Sequence, residues 1–470
     1  MDHLLTFVES FVSNLNDFIW TYIMIALLLG TAIWFTVGTR FVQFRKIGEM
    51  VRLLGEGASK GIGKKQVSSF QAFCISLASR VGTGNLAGVA TAIAVGGPGA
   101  IFWMWLIALL GSASAFIEST LAQMFKVKGK DSFIGGPAYY IQKGLGYRWM
   151  AILFAICITV TFGLVFNSVQ SNTIALAFHE SFSFDPLWMG VILTVLTLGI
   201  IFGGIHRIAV VSGVVVPLMA VAYILLALGI VVVNITRLPE VIGLILENAF
   251  GLQQVVGGGI GVALMQGIRR GLFSNEAGLG SAPNAAATAN VTHPVKQGFI
   301  QALGVFTDTL IICSCTAFII LFSHTPASDL NGIHLTQAAL TSEIGPMGGI
   351  FVTIAIFFFA FTSILGNYYY GEANIMFFTG KKWPITVYRL VVGGMVLGGS
   401  LLSMQMVWNL ADISMAIMGI VNLVAILLLG KYAIRALHDY AAQRKAGIKS
   451  PVFRASSIPE MEDKMECWKD

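Results

Sequence analysis

Two stretches of this chain, 190 positions apart, carry one short pattern, and each interrupts a long apolar run. The first reads Asn85-Leu86-Ala87-Gly88-Val89-Ala90-Thr91-Ala92, the second Asn275-Glu276-Ala277-Gly278-Leu279-Gly280-Ser281-Ala282. Both reduce to N-x-A-G-[V/L]-x-[T/S]-A, after Gly82-Thr83-Gly84 in one copy and Arg270-Gly271-Leu272-Phe273-Ser274 in the other. A backbone that unwinds inside a bilayer leaves N–H and C=O groups unpaired, which is tolerated only where they line a cavity or hold a ligand. Paired interruptions at corresponding places in two halves point to the binding site of a secondary transporter. The competing reading is chance recurrence in a Gly/Ala-rich chain.

Composition settles the solvent. The chain is 56% hydrophobic and 11% charged, with a mean hydropathy of +0.80, against about 25% charged in soluble domains. Its apolar runs reach the roughly 20 residues that a spanning helix needs, and 52 glycines suit close helix packing in lipid. The net charge of +6 sits in short loops, so it reports topology and not a nucleic-acid surface. Met1-Asp2-His3 lacks the basic start of a signal peptide, so no removable leader is expected. Cys74, Cys157, Cys313, Cys315 and Cys467 show no metal-ligand spacing and read as buried thiols.

Eleven spans are expected, near 19–38, 69–94, 98–124, 149–178, 187–204, 208–235, 256–286, 298–323, 347–375, 384–404 and 409–430. Lys and Arg crowd alternate loops: Arg40 to Lys65, Lys126 to Arg148, Arg207, Lys296, Lys381 to Arg389, and the stretch from Lys431. The opposite loops carry His179, Glu180, Asp185, Arg237, Glu240, Asp329, His334 and Glu343. The positive-inside rule then puts the N-terminus outside and the C-terminus in the cytoplasm. Offset by 190, spans two to six repeat as spans seven to eleven. Five is odd, so the second unit enters from the other side and the repeats are inverted. The expected division is 1–66 for a peripheral span and basic loop, 67–236 and 237–430 for the two five-helix repeats, and 431–470 for a cytoplasmic tail. Residues 131–147, with Gly135-Gly136-Pro137 and an aromatic stretch, read as a short helix along the cytoplasmic membrane face. The last twenty residues read as a disordered tail.

The breaks carry the chemistry. Span two is interrupted at Ser79-Arg80-Val81-Gly82-Thr83-Gly84-Asn85. Glycines at 82 and 84 admit conformations closed to other residues. A half-helix beginning near Asn85 aims unpaired N–H groups at the break, a site for a carboxylate. One ending near Val81 aims carbonyls, which with hydroxyls suit a hard cation such as sodium. A glycine packing surface is the alternative. Span seven is expected to break at Arg269-Arg270-Gly271-Leu272-Phe273-Ser274-Asn275-Glu276. There Phe273 would close over a small side chain, and carbonyls near Leu272 and Phe273 would accept from an ammonium. Glu276, an acid at mid-membrane depth, either faces that ammonium or pairs with Arg80 or Arg270 as a brace. Gln170 in span four, and Thr362 and Ser363 in span nine, occupy corresponding helices of the two repeats. Such hydroxyls also commonly bond back to their own helix. Asp308 and Asp412 are intramembrane acids with no role assigned by position alone.

Three motifs resemble one known family. S-x-V-G-T-G-N-L-A-G-V-A-T-A-I followed by G-G-P-G-A-I-F-W-M-W (96–105), R-R-G-L-F-S-N-E-A-G-L-G-S-A-P-N-A-A-A (269–287) and F-A-F-T-S-I-L-G-N-Y-Y-Y-G-E (359–372) closely resemble the alanine/glycine:cation symporters. These belong to the amino acid–polyamine–cation superfamily. The resemblance implies an all-α integral membrane protein with the leucine-transporter fold, a 5+5 inverted repeat with two broken helices plus one peripheral N-terminal helix. It implies backbone donors at Thr83 and Gly84, beside Asn85, for the substrate carboxylate. Gln170 and the run Phe273, Ser274, Asn275 and Glu276 would supply the remaining contacts. A sodium site would use the carbonyls of Ala78 and Val81 with the hydroxyls of Thr362 and Ser363. Arg80 is bulkier and more charged than expected beside such a site. The expected activity is sodium-coupled import of alanine, glycine or a similar small amino acid across a bacterial inner membrane. No bond is made, so no catalytic residue, no cofactor beyond the coupling ion and no nucleic-acid partner are expected. Proton coupling through Asp308 or Glu276, and an amino-acid sensor that does not transport, are the rivals.

Overall fold

A computed structural model of the chain describes residues 14–59, 67–129, 132–250, 259–323, 325 and 330–469. Met1-Asp2-His3 and the loop charges Lys60, Lys64, Lys65, Lys130 and Asp329 fall outside the described residues.

The described residues are almost entirely helical, because a chain in lipid must satisfy its backbone within each segment. The helices are α1 (Asn14–Gly38), α2 (Ile47–Ser59), α3 (Ser69–Arg80), α4 (Gly84–Gly96), α5 (Ala100–Met124), α6 (Pro137–Tyr140, prolonged by a π turn Ile141–Leu145), α7 (Arg148–Phe182), α8 (Pro186–Ile201) and α9 (Gly204–Val233). They continue as α10 (Leu238–Phe250), α11 (Gly259–Asn275), α12 (Ala282–Thr288), α13 (Val295–Phe322), α14 (Gly332–Ile344), α15 (Pro346–Phe378), α16 (Lys382–Gly399) and α17 (Met404–Lys445). A two-stranded hairpin, β1 (Val127–Lys128) with β2 (Phe133–Ile134), joins α5 to α6.

Helix starts follow local chemistry. Ser68 and Gln71 close a capping box on α3, Asp185 caps α8 ahead of Pro186, and Ser403 caps α17. Among the described residues, α1, α5, α7, α9, α13, α15 and α17 are each long and apolar enough to cross a bilayer unbroken. α8 and α16 are shorter, and the pairs α3–α4 and α11–α12 are the two interrupted spans. The architecture is that of a multi-pass membrane protein with two broken helices at corresponding places. α5 packs along α11 and α13, while α15 packs on α3 and α7.

Three expectations are corrected. α11 stays helical through Asn275, so the second break begins at Glu276 and does not span 269–276. Backbone sign explains the shift: Glu276, Gly278 and Gly280 take positive φ (57°, 85° and 83°), whereas Gly271 sits inside an ordinary helix. The 131–147 stretch does form a short helix, but α6 is wedged into the bundle and not laid on its face. Its Tyr139, Tyr140 and Ile141 are buried, and the Tyr140 hydroxyl bonds the Asn422 side-chain oxygen. The tail is ordered: α17 runs on to Lys445, and 450–469 fold back in short 3-10 turns that bury Phe453, Met461, Met465 and Trp468.

Candidate functional site: two helix breaks face each other

At the first break Val81 leaves the helix with extended backbone (φ −81°, ψ 94°), and α4 starts as a π turn at Gly84–Gly88. Neither Gly82 nor Gly84 has positive φ, so these glycines serve close approach, not unusual dihedrals. A Cβ at Gly82 would collide with Ser363 Oγ and reach 2.7 Å from Gln170 Oε1. One at Gly84 would come within 3.0 Å of Ser274 Cα and 3.1 Å of Phe273 Cδ1. The first break therefore touches the last turn of α11, just before the second break, through glycine.

The N–H groups exposed here find side-chain acceptors. Gln170 Oε1 accepts from Thr83 N at 2.9 Å and Thr83 Oγ1 at 2.8 Å, and Asn85 Oδ1 accepts from Gly82 N at 2.9 Å. Gln170 thus takes up both the N–H and the hydroxyl of Thr83. At the carbonyl end, Ser363 Oγ lies 2.8 Å from Ala78 O and 3.2 Å from Val81 O. Thr362 does not join them: its hydroxyl bonds back to Phe358 O and Phe359 O, both at 3.0 Å.

At the second break Leu272 O accepts from Glu276 N at 3.0 Å, one of the two hydrogen bonds a carbonyl oxygen can take. Asn275 Oδ1 caps the break by accepting from Ala277 N at 3.0 Å. Phe273 lies between Phe166 and Trp408, both rings tilted to it, with centroids 4.5 and 4.6 Å away. Glu276 is braced by hydroxyls, not by arginine: Ser79 Oγ lies 2.6 Å from Oε1 and Ser281 Oγ 2.5 Å from Oε2. Ser79 Oγ also lies 2.6 Å from Asn367 Oδ1, and Asn367 Nδ2 has no hydrogen-bond partner among the described residues. Turning that amide over lets Nδ2 donate to Ser79, whose proton then serves Glu276. Arg270 pairs with Asp412 instead, and Arg269 approaches it at 3.5 Å. Arg80 is buried, donates to Gln301 O at 3.2 Å, and leaves Nε and Nη2 without hydrogen-bond partners among the described residues.

Sequence comparison adds the family. The model of the sodium:alanine symporter family matches residues 5–455. The chain belongs to the sodium:alanine symporter family. It is 55% identical to the probable sodium/glutamine symporter GlnT of Bacillus subtilis, over 98% of this chain and 96% of that one. It is likewise 55% identical to the amino-acid carrier protein AlsT of the same organism, over 99% and 98%. The sodium/alanine symporter AgcS of Methanococcus maripaludis is 38% identical over 94% and 99%. Among solved structures, MhsT in complex with L-phenylalanine superposes with a TM-score of 0.58 at 15% identity, covering 86% of this chain and 93% of that one. At that identity the likeness speaks to the fold, which is the leucine-transporter fold. The chain is a symporter and not an enzyme.

Two acids of this sodium:alanine symporter family member gain roles that position alone did not assign. Asp308, in the π turn Phe306–Cys313 of α13, ties the breaks together: Oδ1 accepts from Asn85 Nδ2 at 2.7 Å and Oδ2 from Ser274 Oγ at 2.8 Å. Glu118 on α5 was missed. Its two oxygens accept from Gly278 N at 3.2 Å and Gly280 N at 3.1 Å, so it clasps the unwound loop of the second break. Asn422 of α17 donates both to Glu118 Oε2 (2.8 Å) and to Gly278 O (2.9 Å). The available signal was a lone acid in an apolar span, which is costly and functional by default. Three π turns, at Gly84–Gly88, Thr161–Phe166 and Phe306–Cys313, flank the site. Such turns recur at functional sites and leave no sequence mark.

Proposed function

We propose that this symporter imports alanine, glycine or a similar small neutral amino acid together with sodium, by alternating access around the two breaks. The observation that carries the reading is the convergence of Ser363 Oγ with the carbonyls of Ala78 and Val81 at the end of α3. Three oxygens of a hard-donor set meet there, where a half-helix directs its negative end. In the proposal, substrate carboxylate displaces Gln170 from Thr83 and lies against Thr83, Gly84 and Asn85. Gln170, Phe273, Ser274, Asn275 and Glu276 complete the pocket, and Thr362 is a weaker candidate ligand than Ser363. Glu118, Glu276 and Asp308 are all buried around the breaks, with the Arg80 guanidinium buried among them. Tight contact of Gly84 with Phe273 and Ser274 favours a small substrate side chain. The driving force is about 2.3 kcal/mol per charge per 100 mV plus the concentration term.

The proposal keeps the N-terminus outside, the C-terminus in the cytoplasm and the membrane a bacterial inner membrane. It divides the chain at 1–66, 67–236, 237–430 and 431–470. Proton coupling is a second reading, favoured by the burial of Asp308 between both breaks and by a 46% identical relative described as a putative sodium/proton-dependent alanine carrier protein, YrbD of Bacillus subtilis. Calorimetry on the purified protein separates them. Alanine binding that requires sodium and is blocked by glycine but not leucine supports the proposal. Sodium-independent binding that follows pH supports the rival. Glutamine competing as well as alanine would move the substrate toward that named for GlnT.

A further inference from the structure

The ordered segment after α17 lies over the place where the two interrupted spans meet on the face of the basic loops. There the start of α3 is joined to the end of α12: Val67 bridges Ala289, and Asn290 N donates to Val67 O at 3.1 Å. Gln123, at the end of α5, donates to Ala289 O at 3.0 Å, and Lys126 Nζ donates to the same carbonyl at 3.0 Å. The tail covers this knot. Trp468 Nε1 donates to Gln123 O at 2.8 Å, and its ring lies 4.9 Å from the Lys126 ammonium, with Phe133 4.0 Å away. Phe453 N donates to Thr292 O at 2.9 Å, and Thr292 Oγ1 donates to Pro451 O at 2.8 Å.

The same segment grips a second group of elements. Glu466 pairs with Lys143 on α6 at 2.6 Å, and Glu460 with Arg435 on α17 at 2.7 Å. α6 is in turn held by α15 and α17, through Tyr139 to Ala373 O and Tyr140 to Asn422. Opening a path from the breaks to this face requires the inner half-helices α3 and α12 to move against α6, α15 and α17. A segment bonded on both sides of that seam resists the movement.

We infer that residues 450–469 are a latch that holds the inner side of the transport path closed, with Trp468 as its anchor. The path through the breaks and the naming of this face as inner rest on the proposed function. Buried Trp468 supplies both a large apolar area and an indole donor, whereas the exposed ion pairs add little. The test is backbone amide exchange over Ser69–Arg80 and Ala282–Thr288 in the purified protein, without substrate or sodium. Exchange is expected to be at least fivefold faster in a chain ending at Lys449 and in Trp468→Ala. Trp468→Phe, which keeps the ring over Lys126 but loses the donor, is expected to fall between these and the parent. Exchange within twofold of the parent in both variants, each still melting cooperatively, overturns the latch. If the shortened chain does not fold, Trp468→Ala decides alone. No substrate is present, so failure of the alanine–sodium reading leaves this result intact.

Discussion

Ser363 and Thr362 are neighbours with opposite surroundings, and they separate a ligand role from a helix role. Both hydroxyls bond back to Phe359 O at 3.0 Å, but Ser363 Oγ also reaches the carbonyls of Ala78 and Val81 on α3, whereas Thr362 bonds only within its own helix. Ser363→Ala is expected to raise the sodium needed for half-maximal alanine binding about fivefold, for the loss of one interaction of about 1 kcal/mol. Thr362→Ala is expected to leave that sodium dependence unchanged, and the reverse order would move the cation to Thr362. Gly84→Val is expected to abolish alanine binding while the protein stays folded, because even a Cβ there meets Ser274 and Phe273 and overpacking costs about 1–3 kcal/mol. Calorimetry in sodium buffer checks both, and near-normal binding by folded Gly84→Val contradicts the carboxylate's placement. Glu118→Gln replaces one of two acceptors under the Gly278 and Gly280 amides by a donor. It is expected to lower stability by about 1–3 kcal/mol and to weaken alanine binding. An unchanged melting temperature and affinity would reduce Glu118 to a bystander.

At the scale of elements, legibility follows the kind of signal each one sends. Long apolar spans were readable to within about five residues, because length and hydropathy alone mark them, except that α17 runs fifteen residues past the expected end at 430, to Lys445. The first break was readable from Gly82-Thr83-Gly84. The second was placed too early because Gly271 looks like a breaker, whereas the unwinding comes from positive φ at Glu276, Gly278 and Gly280, which sequence does not print. α14, reading G-I-H-L-T-Q-A-A-L-T-S-E-I, is too polar and short to register as a span, yet Thr336 donates to Leu86 O at 3.0 Å, over the first break. α2 is likewise a short amphipathic helix, fastened to α17 by Glu49, which accepts from the Tyr440 hydroxyl at 2.5 Å. Arg52 beside Glu49, with Tyr440, holds that carboxyl down to about 2 from its ordinary 4.5. A depressed carboxyl contributes stability that is full above pH 4.5 and is lost as pH falls toward 2. The melting temperature in detergent is therefore expected to fall more steeply over that window in the parent than in Glu49→Gln. Parallel curves would show that the fastening contributes nothing.

For the whole molecule, the repeat was the deepest thing written in the chain: one motif, one offset and an odd number of spans per unit. The site between the repeats was half legible. Thr83, Gly84, Gln170, Ser274 and Ser363 do come together, but the pairing of Glu276 with serines and the clasp of Glu118 are tertiary facts with no local pattern. The tail was misread because prolines and mixed charge suggest disorder, while its ordering depends on a surface built by α5, α6 and the 289–294 loop. The central claim of the proposal is that a sodium gradient drives a small amino acid through the molecule. Uptake of labelled alanine into proteoliposomes, with an inward sodium gradient or with potassium in its place at equal pH, tests it most directly. Accumulation that needs sodium and collapses when the gradient is dissipated is the predicted result. Equal uptake without sodium, or uptake driven by an imposed pH gradient alone, would contradict the account.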